Sequence, residues 1–224
     1  MDPLSQLVAA TVVFLATHWV PSTPLRAVLV KSIGERAYLG LYSLVAFATL
    51  GWMIHAYLKA PLEPLWPGLR HVPAATMPFA FILLVGGLLQ KNPTAVGQSK
   101  LLGLEEPARG VLRVTRHPVM WAILLWAGAH LLARGDLKSL VFFGGFFVLA
   151  ALGTRLIDAR KAGERAEDWK RFAASTSNIP FVAIAQGRNR FRAGEIGLVK
   201  VAFALILYGG LLLAHPWLFG ARPW

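Results

Sequence analysis

The sequence predicts an all-α, polytopic membrane helix bundle of about six transmembrane helices, with the N- and C-termini outside. Three observations predict it. Of 224 residues, 56% are hydrophobic and only 15% are charged, against roughly 25% charged in a soluble domain. The mean hydropathy is +0.54. The apolar residues also gather into six runs, and ~20 such residues are what a helix needs to cross ~30 Å of hydrocarbon. One domain covering 1–224 follows, with an inner-side charged helical loop, 158–192, as its longest polar stretch.

The first run is Leu4–Val20. No basic residue precedes it and no small-residue cleavage site stands out, so it reads as a span rather than a cleaved signal. Ala37–Leu58 is the second. The third, Val72–Leu89, carries Pro73, Pro78 and the pair Gly86-Gly87. That composition predicts a kinked helix that packs closely on its neighbours. Pro118–Ala133 is the fourth and is short. Leu137–Ile157 and Ile196–Phe219 complete the set.

Loop charge sets the orientation. The first, third and fifth loops carry seventeen basic residues and the second and fourth carry four. Basic loops stay inside, which puts both termini outside and Trp66, Trp217 and Trp224 at the outer interface. The net charge of +12 is then a lipid-facing charge, and nucleic acid is not a predicted partner. In the fifth loop, Arg160–Ala174 reads as a helix. Glu167 and Arg171 make an i,i+4 pair on it, and Trp169, Phe172 and Ala173 form an apolar stripe able to rest on the membrane or the bundle. Ser175 through Pro180 ends it.

No cysteine is present, so thiolate ligation and thiol nucleophiles are excluded. The chemistry rests on six histidines. An imidazole in hydrocarbon needs a partner or a task. His18 and His117 fall in the inner half, His55 and His130 in the outer half; His71 and His215 read as solvated. Either of the first two pairs could hold haem through two imidazoles. His117 and His130 cannot share an iron, because thirteen residues of one helix separate them by ~20 Å. The sharpest local feature is Arg113-Val-Thr-Arg116-His117-Pro118. Proline suits a first helical turn, and free N–H groups there, with Arg113 and Arg116, suit an anion such as a phosphate, a haem propionate or a cofactor carboxylate. Lipid headgroups would satisfy the same arginines. Asp158 and Glu164 have basic neighbours and read as salt-bridging groups.

The order of several short pieces carries a resemblance. They are His18 with Ser22 and Arg26; Gly34-Glu-Arg-Ala-Tyr38 into Leu41-Tyr-Ser43; Thr115-Arg-His-Pro118 through Trp126 to His130; Gly135-Asp136; Asp158-Ala-Arg160; and Trp169 through Thr176 to Pro180-Phe181. The chain resembles the NnrU family of bacterial membrane proteins, related to the plant 15-cis-zeta-carotene isomerases. The resemblance implies a multi-pass protein of a bacterial inner (cytoplasmic) membrane, with haem b and cis-trans isomerase-like or redox chemistry on a lipophilic small molecule, or a role linked to nitric-oxide metabolism and denitrification. It implies His18 and His130 as haem-linked histidines, with His117 as a further functional, catalytic one. The metal-ligand candidates are therefore His18, His117 and His130, and the cofactor-binding candidates also include Arg113 and Arg116.

Arg116-His-Pro118, followed by a span and an aromatic helix ending at Pro180, also resembles the isoprenylcysteine carboxyl methyltransferases and related reductases. That implies S-adenosylmethionine or a nicotinamide as cofactor. A third reading is a non-catalytic assembly factor that docks a protein partner or anionic membrane lipid through its basic inner face.

Overall fold

A computed structural model describes residues 1–223; Trp224 lies outside the described residues. The chain is helical, with no strand among the described residues and a single isolated bridge between Pro64 and Asp136. Ten helices follow in order: α1 Pro3–Trp19, α2 Leu25–Ile33, α3 Glu35–Lys59, α4 His71–Leu89, α5 Pro118–Arg134, α6 Leu137–Glu164, α7 Ala166–Ser175, α8 Val182–Ala185, α9 Ala193–Ile196 and α10 Leu198–Phe219.

Five of these are long and apolar enough to cross a membrane: α1, α3, α4, α6 and α10. The sixth apolar helix, α5, has 17 residues, about 25 Å at 1.5 Å per residue. It packs between α4 and α6, so its ends meet protein and need not reach both lipid surfaces. The bundle continues as a row, with α10 on α4 and α1 between α6 and α3.

The loops sort as alternate crossings demand. The stretch before α5 bonds to the stretch after α6, Arg116 N–H to Ser177 O at 2.9 Å and Phe181 N–H to Val114 O at 2.9 Å. At the opposite end, the α3–α4 connection meets the α5–α6 turn, with Leu65 N–H on Gly135 O at 2.7 Å and Leu69 N–H on Leu132 O at 2.8 Å. Gly135 caps α5 with φ +62°, and a Cβ there would fall 2.2 Å from Trp66 O. Asp136 then caps α6, accepting from the Ser139 N–H at 2.9 Å, as an N-terminal cap should.

The inner seam is built from small and aromatic residues. Leu7, Ala10 and Phe14 of α1 meet Met53 of α3 and Phe142 and Phe143 of α6. Gly86 and Gly87 of α4 let α4 lie directly on Val111, Pro118 and Val119, the close approach that the Gly-Gly pair predicts. The outer surface is apolar. On α10 only Ala204 is buried, while Leu198, Val199, Ile206 and Leu213 are exposed. Exposed apolar area of this extent marks a lipid contact. Trp66 and Trp217 are also exposed.

Three local expectations need correction. α6 continues past Ile157 to Glu164, and the helix breaks at Arg165 before α7 begins. The polar end of α6 persists because Asp158 and Lys161 find protein partners there. Arg171 pairs with Asp168 at 2.7 Å, one residue closer than the expected Glu167, because Asp168 also receives Arg165 at 2.6 Å. His71 opens α4 rather than lying in a loop. The stripe on α7 faces protein: Trp169 and Phe172 are buried with Leu102 and Ala108.

Candidate functional site

The end of the bundle that gathers the basic loops holds a cavity of about 570 Å³, within the usual range for a ligand site. α1 brings His18 and Trp19, α3 brings Tyr38 and Tyr42, the start of α5 brings His117, and α6 brings Arg160. His18 and His117 thus line one chamber.

Their tautomers follow from their partners. The His18 Nδ1–H donates to Phe14 O at 2.7 Å. A carbonyl can only accept, so Nε2 of a neutral His18 keeps a bare lone pair. His117 Nε2–H donates to Asp158 Oδ1 at 2.5 Å. That leaves Nδ1 with the lone pair, buried and without a partner in the protein. Burial pushes His117 below the usual imidazole range, against the opposing pull of Asp158. A neutral ring with one oriented N–H and one free lone pair is what a metal ligand or a general base requires.

Asp158 is held from two sides. Besides His117 it receives Arg116, whose guanidinium is 3.0 Å away. Arg116 also donates to Thr176 O at 3.3 Å and lies 5.4 Å over the Trp169 ring. Arg116, Asp158 and His117 form a chain of charge-assisted contacts that fixes the imidazole from behind the cavity.

Arg113 stands elsewhere. Its Nε is 2.7 Å from Glu195 and its terminal nitrogens reach Glu106 at 2.6 Å and Asn189 at 2.8 Å. Only 7% of its side chain is exposed. The guanidinium therefore welds the stretch before α5 to α9. Glu195 also accepts the Gly110 N–H at 3.0 Å, and the Arg113 contact holds its carboxyl at about 2.

The remaining histidines are dispersed. His130 Nδ1–H donates to Trp126 O at 2.8 Å, and its ring stacks on Phe143 at 5.1 Å. Between His18 and His130 runs a series of ring contacts through Phe14, Phe146 and Trp126, so aromatic side chains occupy the way from one imidazole to the other. His55 is exposed on α3, and His215 bonds to Ala221 O at 2.7 Å. No group of three or more His, Asp or Glu with metal-site geometry occurs among the described residues.

Charged residues line the chamber beside the histidines. Arg26, Lys100, Arg160 and Lys161 share its lining with Glu35 and Glu164, and Arg26 pairs with Glu35 at 3.4 Å. Lys161 is 1% exposed and donates to the Ser99 hydroxyl. Their signal was in the sequence: Ser22, Arg26, Tyr38 and Arg160 belong to the short pieces quoted above, and all four line the chamber. A second cleft of about 420 Å³ is lined by Arg171, Arg188, Arg190 and Arg192 together with Glu105 and Glu106.

Fold and site together define a polytopic helical membrane protein with a two-histidine chamber at one end of its bundle. The chain belongs to the NnrU protein family, whose match covers residues 6–223. It is 29% identical to a chloroplastic 15-cis-zeta-carotene isomerase of Arabidopsis thaliana over 207 residues, covering 88% of this chain and 56% of the relative. It is also 29% identical to the chloroplastic 15-cis-zeta-carotene isomerase of Zea mays over 111 residues, covering 48% of this chain and 30% of the relative. The chain thus spans about half the length of the first of these relatives and less of the second. No solved structure matches it.

Proposed function

We propose that this protein is a membrane-embedded isomerase that acts on a double bond of a lipophilic substrate, with haem b held in the His18–His117 chamber. The observation that carries the reading is the pair of bare imidazole lone pairs, His18 Nε2 and His117 Nδ1, on residues that line one cavity. The carotenoid isomerases among its relatives supply the reaction class.

The donor set suits the cofactor. Metal-binding histidines usually donate their other N–H to a carbonyl or carboxylate, and both rings do so here. When bound, haem iron would supply a Lewis-acid or one-electron centre beside the substrate double bond. The rest falls to the chain itself. Phe14 and Asp158 hold the two rings in their tautomers. The apolar wall of Leu149, Met120 and Val119 accommodates a lipophilic body and excludes water. Isomerisation moves no atom between molecules, so no cosubstrate pocket is required. The cytoplasmic membrane of a bacterium is the proposed location, with the chamber at its inner face.

Expression with ample haem tests the cofactor. Purified protein should show a Soret band that shifts on reduction; His18→Ala and His117→Ala should each remove or displace it, and His130→Ala should leave it in place. Protein without the band, or a band indifferent to both His18 and His117, overturns the reading. Conversion of 15-cis-zeta-carotene in proteoliposomes, followed by chromatography, tests the substrate class.

The arginine-rich cleft favours a second reading, an anionic nucleotide cofactor such as NADPH bound among Arg171, Arg188, Arg190 and Arg192. Calorimetry with NADPH and with S-adenosylmethionine decides it; no heat from either removes it.

A further inference from the structure

Among the described residues, four buried side-chain polar atoms find no partner within the protein: Trp19 Nε1, Tyr38 Oη, His117 Nδ1 and Arg160 Nε. All four residues line the same chamber. Native folds leave few buried polar atoms unpaired, and each such atom calls for an explanation. Four converging on one cavity point to a ligand there: three of them are donors, and His117 Nδ1, which carries a lone pair, is the one left for a metal or a donor.

Their chemistry describes that ligand. The Trp19 and Arg160 nitrogens can only donate, and the Tyr38 hydroxyl can donate. Tyr38 is 3% exposed, and the Arg26 guanidinium lies 5.8 Å over its ring. Arg26, Lys100, Arg160 and Lys161 outnumber Glu35 and Glu164 in the lining. The ligand must therefore bring acceptor oxygens and negative charge to these donors. The same lining also holds Leu88, Val119, Met120, Leu149 and Leu156, which can receive an apolar body.

We propose that Trp19, Tyr38 and Arg160, backed by Arg26, form an acid-group pocket that takes a carboxylate or phosphate carried on an apolar molecule. This deepens the reading of the chamber as the ligand site and rests on it. Three sources share the chemistry: the carboxylates of haem, a fatty acid and a lipid phosphate. The arginines that the sequence put forward for this task, Arg113 and Arg116, are occupied by Glu195, Glu106 and Asp158.

The test pairs each acid with its neutral counterpart on the purified full-length protein in detergent: haem with haem dimethyl ester, palmitate with methyl palmitate, phosphatidic acid with diacylglycerol. At least one acid should bind tenfold or more tightly than its counterpart, and that pair identifies the source. Tyr38→Phe combined with Arg160→Gln should abolish the preference while the neutral counterpart binds as before. Equal affinity within all three pairs overturns the proposal, as does a preference that survives the substitutions. If the double variant does not fold, Trp19→Phe alone should reduce the preference severalfold, and an unchanged preference overturns the proposal. The two readings separate cleanly. A Soret band of equal strength with haem and with its dimethyl ester, and no preference in the other pairs, keeps the haem site and removes the acid pocket. Palmitate preferred over its ester, with no Soret band from haem, keeps the acid pocket and removes haem.

Discussion

His117 and Asp158 lie 41 residues apart and close a 2.5 Å hydrogen bond between the start of α5 and the end of α6. The carboxylate is shared with Arg116 at 3.0 Å, so one acidic side chain neutralises a guanidinium and orients an imidazole. Removing it leaves Arg116, with 15% of its side chain exposed, without its counter-charge. Asp158→Ala should cost about 3 kcal/mol, the usual result of stripping one partner from a buried pair. Asp158→Asn keeps a hydrogen-bond acceptor for His117 and should cost less. Thermal melting in detergent measures both, and equal melting temperatures for the two variants would contradict the shared role.

Arg113 offers a contrast with the cavity residues. It is tied to Glu195, Glu106 and Asn189 and does not line the chamber. Arg113→Ala should destabilise the fold by about 3 kcal/mol and leave the affinity of the chamber for its ligand unchanged. Arg113→Lys should recover little, because an ammonium lacks the planar fork that reaches three acceptors. A ligand titration on the folded fraction, beside a melting curve, distinguishes the two effects.

The Arg113–Glu195 pair predicts an acid limit. Glu195 is held at about 2, below its ordinary 4.5, chiefly by the hydrogen bonds of Arg113. A carboxyl whose folded value is depressed stabilises the fold fully above its unfolded value and loses that contribution as pH falls toward the folded value. The contribution should therefore fade between about pH 4.5 and pH 2. Melting temperature should fall steeply over that window in the native protein and more gently in Glu195→Gln, which starts lower.

The α4 contact with the stretch before α5 depends on a missing side chain. A Cβ on Gly86 would lie 2.5 Å from Val111 Cγ1, and Val111 is 1% exposed. Gly86→Ala should cost about 1–3 kcal/mol through overpacking. Val111→Ala alone also destabilises, by leaving a void. The pair together should be less damaging than their sum, since the new methyl enters the space that the valine vacates. A double-mutant cycle on melting free energies reads the coupling directly.

Much of the architecture was legible because hydrophobic length is a one-dimensional property. Each apolar run from Leu4–Val20 to Ile196–Phe219 became a helix with ends shifted by a few residues, and α6 was extended by two turns of polar residues. Gly86-Gly87 announced a close contact, and Pro118 announced the start of α5. The site was legible only in pieces. His18 and His117 were both candidates, and grouping them at one level of the bilayer followed from helix direction alone. Clustered positive charge beside a helix start suits an anion, and so Arg113 and Arg116 read as an anion site from sequence. Glu106 is a carboxylate partner only seven residues from Arg113, but Glu195 and Asp158 lie 82 and 42 residues from Arg113 and Arg116, and no local pattern connects those pairs.

By itself the sequence determined the solvent of this protein, the number and order of its apolar helices and which loops share a side, because hydropathy and loop charge act along the chain. Only the tertiary structure decided which polar groups neutralise one another and which remain free. Helix packing brought Asp158 to His117 and Arg116, Glu195 to Arg113, and the unpartnered donors of Trp19, Tyr38 and Arg160 to one chamber. Pairing between side chains depends on distances of a few ångströms across helices, a quantity that residue order does not encode locally and that close packing fixes.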